Sequence, residues 1–176
     1  MEKSTKSIAI NYGLYLGILL VLFTIVAYIV DLELMINMWA GIIMFIGVII
    51  IGIVSVAKVK QVQGGYASFK EAFTAFFITL IIGLLISGVV SFLLFNIIDT
   101  EAAEILKEKN IANTVERLKS FNVPNEAISE TVTQMETTDQ YSIGNVFLAL
   151  GIQTILFSII GLIVAAAMKK NNPNAN

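Results

Sequence analysis

The chain contains no cysteine and no histidine in its 176 residues. Disulfides, thiolate nucleophiles, the usual zinc sites and imidazole acid–base catalysis are therefore closed to it. Charge is scarce as well, at 14% of residues and a net −2, where a soluble domain carries about 25%. A nucleic-acid partner is not expected, because neutralising phosphates takes clustered Lys and Arg. The phosphate-binding, zincin and serine-hydrolase motifs G-x-x-x-x-G-K, H-E-x-x-H and G-x-S-x-G are missing too. No cofactor is implied.

What remains is apolar, at 57% of residues, and it falls in blocks. Residues 8–30, 36–57, 72–98 and 143–168 contain no Asp, Glu, Lys or Arg. Crossing about 30 Å of hydrocarbon takes about 20 apolar residues in a helix, and one mid-span charge costs at least about 2.5–3.5 kcal/mol on insertion scales. The pattern predicts an all-α membrane protein, a single domain over 1–176. Four transmembrane helices form two hairpins, with a helical extracytoplasmic loop at 99–142 and a disordered tail at 169–176. The first block is too long for the about 7–15 apolar residues of a signal peptide and reads as a retained span.

Seven cations, Lys3, Lys6, Lys58, Lys60, Lys70, Lys169 and Lys170, lie on one side of these spans. The other side has Lys107, Lys109, Arg117 and Lys119 in the long loop, with nine of the thirteen acids. Cations flanking spans stay cytoplasmic, so both termini are placed inside, in a bacterial inner membrane. Tyr28, Trp39 and Tyr141 then mark the outer boundary, and Tyr12, Tyr66 and Phe69 the inner one.

Helices in lipid meet through small residues that let backbones approach. The third span offers Ala75, Thr79, Gly83, Ser87 and Ser91 every four residues. The fourth offers Gly144, Gly151, Ser158 and Ala165 every seven, and the first has Gly13 and Gly17. Packing inside one chain is the expected use, with a homodimer as the sharper alternative. Gln153 is the deepest amide and is expected to bond between helices rather than line a polar path.

Between the second and third spans, Lys58 to Ala67 reads as a basic loop ending in a flexible glycine pair, attractive to anionic lipid. Ser68 and Glu71 then match a helix capping box, which explains Glu71 better than a catalytic role. In the outer loop Thr100 reads as the cap of a first helix and Asn122-Val123-Pro124 as a break. Ile128, Val132 and Met135 give a second helix its apolar side, with Glu126, Glu130 and Glu136 toward water.

The run Gly64-Gly65-Tyr66-Ala67-Ser68-Phe69-Lys70-Glu71-Ala72-Phe73, set between a basic first span and a glutamate-rich, Pro-interrupted outer loop, resembles domain of unknown function 4199. Its most specific part is Gly65, Ser68, Phe69, Ala72 and Phe73. The resemblance covers nearly the whole chain and implies a small four-span membrane protein of a family found mainly in Bacteroidetes, with no mechanism attached. With catalytic constellations absent from the spans, the expected role is a non-enzymatic accessory or scaffolding subunit. Its expected partners are membrane lipid and another membrane protein or a second copy. The alternative is a solute-permeable channel or carrier formed by an oligomer.

Overall fold

The computed structural model describes the backbone of residues 2–171 and the side chains of residues 5–171. The Lys3 side chain and tail residues 172–176 fall outside the described residues. Six α-helices follow in order: α1 (Glu2–Val30), α2 (Met38–Val62), α3 (Phe69–Leu93), α4 (Thr100–Ser120), α5 (Asn125–Thr137) and α6 (Ile143–Met168). Four are long and apolar enough to cross a membrane, over Thr5–Val30, Met38–Val62, Phe69–Ile98 and Ile143–Met168. The two hairpins and the helical insertion between the third and fourth spans are as the sequence predicts. We call the end that holds residues 5, 63, 68 and 168 the terminal face, and the other the loop face.

Several boundaries differ from the charge-free blocks. Helix α2 starts at Met38 because the Asn37 side chain accepts the N–H groups of Trp39 and Ala40 at 2.9 and 3.1 Å. It runs on to Val62, so Lys58 and Lys60 sit in helix, not in the loop the sequence suggested. Lys60 in the last turn complements the helix dipole, and its Nζ donates to the Met168 carbonyl at 2.9 Å. The cap of α4 is Asp99 rather than Thr100, its carboxylate accepting the Ala102 N–H at 2.9 Å. Past Leu93 the third span widens into one π turn, Leu94–Ile98, closed by Asp99 N–H to Leu94 O at 2.8 Å. The tail starts ordered: Ala67 and Lys170 exchange backbone hydrogen bonds at 3.0 and 2.8 Å.

Helix α3 is the centre, packed against α1, α2 and α6. Its crossing with α1 is set by glycines on both sides. A Cβ on Gly13 would stand 2.7 Å from Ile82 Cβ, one on Gly17 2.7 Å from Ile86 Cδ1, and one on Gly83 2.5 Å from Leu16 Cγ. The small-residue ridges of the first and third spans are thus consumed within the chain. Thr79, fully buried, donates to the Ala9 carbonyl at 3.1 Å and shares a hydrogen bond with buried Ser55 at 2.7 Å, which joins α1, α2 and α3.

Below this crossing the Phe76 ring fills the space between α2 and α6. Cβ atoms on Gly52 and Gly161 would lie 2.4 and 2.7 Å from it. Neither glycine stood out in the sequence. The seven-residue seam expected on α6 is broken. Ala165 is buried and Ser158 bonds its own helix at Thr154 O (2.6 Å), but Gly144 and Gly151 have nothing within 4 Å. The packed face of α6 is instead Phe157, Gly161, Val164 and Ala165, all toward the terminal face.

Candidate functional site

Polar groups that do more than cap a helix gather in three places: a knot on the terminal face, a cap on the loop face, and a cavity between them.

The knot is built by the glycine pair and the residues after it. Gly64 and Gly65 take φ of 71° and 90°, a left-handed conformation that a side chain strains. That turn reverses the chain into Ser68. Its hydroxyl accepts the Glu71 N–H at 3.2 Å, while Glu71 Oε2 takes the Ser68 N–H and hydroxyl at 2.8 Å each. The capping box is therefore present. The other oxygen, Oε1, accepts from Gln63 Nε2 at 2.9 Å, and the same amide donates to Thr5 Oγ1 at 3.0 Å. With Lys60 on the end of α6 and Lys170 5.2 Å over the Tyr66 ring, all four spans meet here. Ala72 is buried, and Phe69 stacks on Phe73 and Phe73 on Phe77. Each motif residue thus has a structural task. Replacing Ser68 by Ala should cost about 0.5–2 kcal/mol, read as a lower midpoint in detergent unfolding; an unchanged midpoint would mean the box contributes nothing.

The cap rests on a loop-face cluster of Phe95, Ala102 and Leu106, with Tyr28, Met35 and Tyr141 against it. Tyr28 donates to Asp99 at 2.7 Å, and Asn96 donates to the Tyr141 carbonyl at 2.6 Å. The Tyr28 hydroxyl, and after it the Ala102 N–H, hold the Asp99 carboxyl below the usual aspartate range. Burial pushes the Tyr141 phenol up to about 12. Lys109 pairs with Glu33, and Arg117 reaches the Ile36 carbonyl at 3.4 Å, so α4 lies across the turn between the first two spans. Tyr28 and Tyr141 are therefore parts of a packed cap, while Trp39 stays 69% exposed. Helix α5 follows the break at Asn122, φ 54°. It buries Ile128 and half-buries Val132 and Met135, with Glu126, Glu130 and Glu136 outward as expected.

Between knot and cap lies a cavity of about 480 Å³, lined by α1, α2, α3 and α6 and roofed by Met35. A second recess of about 220 Å³ lies under Gln140 and Tyr141; the two share Leu84, Ser87 and Gln153. The ridge residues Ser87 and Ser91 thus serve these spaces rather than a helix contact. Among the described residues Gln153 makes no interhelical hydrogen bond; it stands exposed at the cavity wall. A polar side chain without a partner is visible only once the neighbours are placed.

Nothing among curated proteins or solved structures matches the chain. One family model does, over residues 11–170, which takes in most of both hairpins, the knot apart from Thr5, and the cap. With that match over most of its length, the four-span chain belongs to DUF4199, a family of proteins of unknown function.

Proposed function

We propose that the protein is a non-enzymatic accessory or scaffolding subunit of a bacterial inner membrane, with both termini cytoplasmic, and that it docks a helix of another membrane protein along α6. One observation carries this reading. Helix α6 is the least buried of the four spans, and its two exposed glycines, Gly144 and Gly151, meet open space, as Gly41 and Gly47 of α2 also do, whereas the glycines of the α1–α3 crossing and those facing Phe76 are tightly filled. A glycine in a helix costs about 1 kcal/mol against alanine and is favoured where a backbone must approach closely. Around the two glycines Phe147, Leu148 and Ile155 are all more than 60% exposed. The absence of His and Cys from the sequence supports the non-enzymatic part, and the cation distribution supports the orientation.

The Phe76 ring packed against Gly52 and Gly161, with the Thr79 hydroxyl bonded to the Ala9 carbonyl and to Ser55, fills the interior of the bundle toward the terminal face. That favours an accessory subunit over a channel. Because the chain is cysteine-free, a single Cys at Ile155 labels one face. Cross-linking in intact membranes should trap it to one partner of defined mass. Gly151→Leu should abolish that product without moving the unfolding midpoint. Equal cross-linking from Ile155 and from lipid-facing Ile50 would overturn the docking face, and solute flux through liposomes holding the purified chain alone would favour a channel.

A further inference from the structure

The cavity beneath Met35 combines features that select a ligand. Its wall carries no Asp, Glu, Lys or Arg, and its bulk is aromatic and aliphatic, with Phe45 and Phe157 stacked at 5.1 Å. At about 480 Å³ it falls within the about 300–1,000 Å³ of small-molecule sites.

Set into that wall are Ser87 and Gln153, which make no hydrogen bond to the described residues, whereas Thr24, the third polar residue of the lining, bonds the Leu20 carbonyl of its own helix at 3.1 Å. Neither is entombed, since no described side chain has a sealed, unsatisfied nitrogen or oxygen. Both groups open into the cavity. An amide in hydrocarbon without a partner costs at least about 1–3 kcal/mol, so a partner supplied from the cavity stabilises this arrangement.

Depth narrows the choice. Gln153 lies ten residues into α6, about 15 Å from its loop-face end at 1.5 Å per residue. Ser87 lies eleven residues before Ile98, about 16 Å by the same rise. Both are near the middle of a hydrocarbon core about 30 Å thick. Charged phospholipid headgroups sit at the edges of that core, and a charged group at its centre is costly. Water is a poor filling for a wall this apolar. We propose that the cavity binds an uncharged lipid whose hydroxyl or carbonyl oxygen lies at mid-membrane depth, paired with Ser87 and the Gln153 amide. A free diacylglycerol or long-chain alcohol and an isoprenoid quinone share that chemistry.

The test uses the purified full chain in detergent, with dioctanoylglycerol and a short-chain ubiquinone analogue as probes and a phosphatidylglycerol of equal chain length as the charged control. Either neutral probe should raise the unfolding temperature beyond the control, and the larger shift names the source. Quenching of Trp39, two residues before the lining residue Gly41, should follow the titration with the quinone, which carries a quenching ring. Gln153→Leu should weaken the neutral probe about tenfold, the loss of one hydrogen bond, while leaving the unliganded melting temperature unchanged or higher. Ser87→Leu should weaken it by filling the space. A phospholipid shift equal to that of the neutral probes, no shift from either, or undiminished binding by Gln153→Leu would each overturn the assignment.

Discussion

Gly83→Leu should prevent the protein from holding its four-helix fold in mild detergent. The first added atom alone would lie 2.5, 2.6 and 2.9 Å from Cγ, Cδ2 and Cβ of Leu16. Leu16 cannot yield, because it is fully buried between α1 and α3. Relief requires the two helices to part, which also pulls Thr79 from the Ala9 carbonyl and unpacks Gly13 and Gly17. Overpacking costs about 1–3 kcal/mol and sometimes more, and here it strikes the most extensive helix contact in the molecule. The expected loss is therefore at or above about 3 kcal/mol, seen as polydisperse elution and a collapsed melting transition. Gly151→Leu is the control, with nothing within 4 Å to strike. Equal melting temperatures for the two variants would refute the tight crossing.

Phe76→Ala should cost about 3–5 kcal/mol, for the opposite reason. The ring is 1% exposed and is faced by a glycine of α2 and a glycine of α6. Its removal leaves a void that no side chain at position 52 or 161 can reach into. In a bilayer the loss is one of close contact rather than of water exclusion, since lipid is as apolar as the core. The check is the denaturation midpoint in detergent, where Phe76→Leu should recover part of the loss. A Phe76→Ala chain as stable as the parent would mean that α6 is held by the knot and by its other packed residues, Phe157, Val164 and Ala165, without the ring.

Much of this architecture is legible in the residues. Missing charge marks the four spans, and Ser68 with Glu71 marks the start of the third helix, because those signals depend on local chemistry that needs no neighbour. The ridge of Ala75, Thr79 and Gly83 is legible as a packing surface for a similar reason: a four-residue period puts small side chains on one face. Which helix fills that face is not. Gly52 and Gly161 look like the background glycine of membrane helices, and only the position of Phe76 gives them a role. Gly144 and Gly151 look like a packing seam and meet nothing within the chain. In lipid the outward face is as apolar as the inward one, so Ile29 and Ile163, at 73% and 65% exposed, read like core. The same blindness hid Gln153, whose type suggests a hydrogen bond while its surroundings supply none.

The central place of α3 bears on how the molecule is assembled during synthesis. The ribosome delivers α1 and α2 to the membrane before their main contact surface has been made, so this first hairpin must rest in the bilayer on its own smaller contact. Mean hydropathies of 2.5 and 2.8 for those two spans allow them to do so. Insertion and assembly are then separate events, and a lesion in α3 should yield chains that are correctly threaded yet open to capture by quality-control proteases.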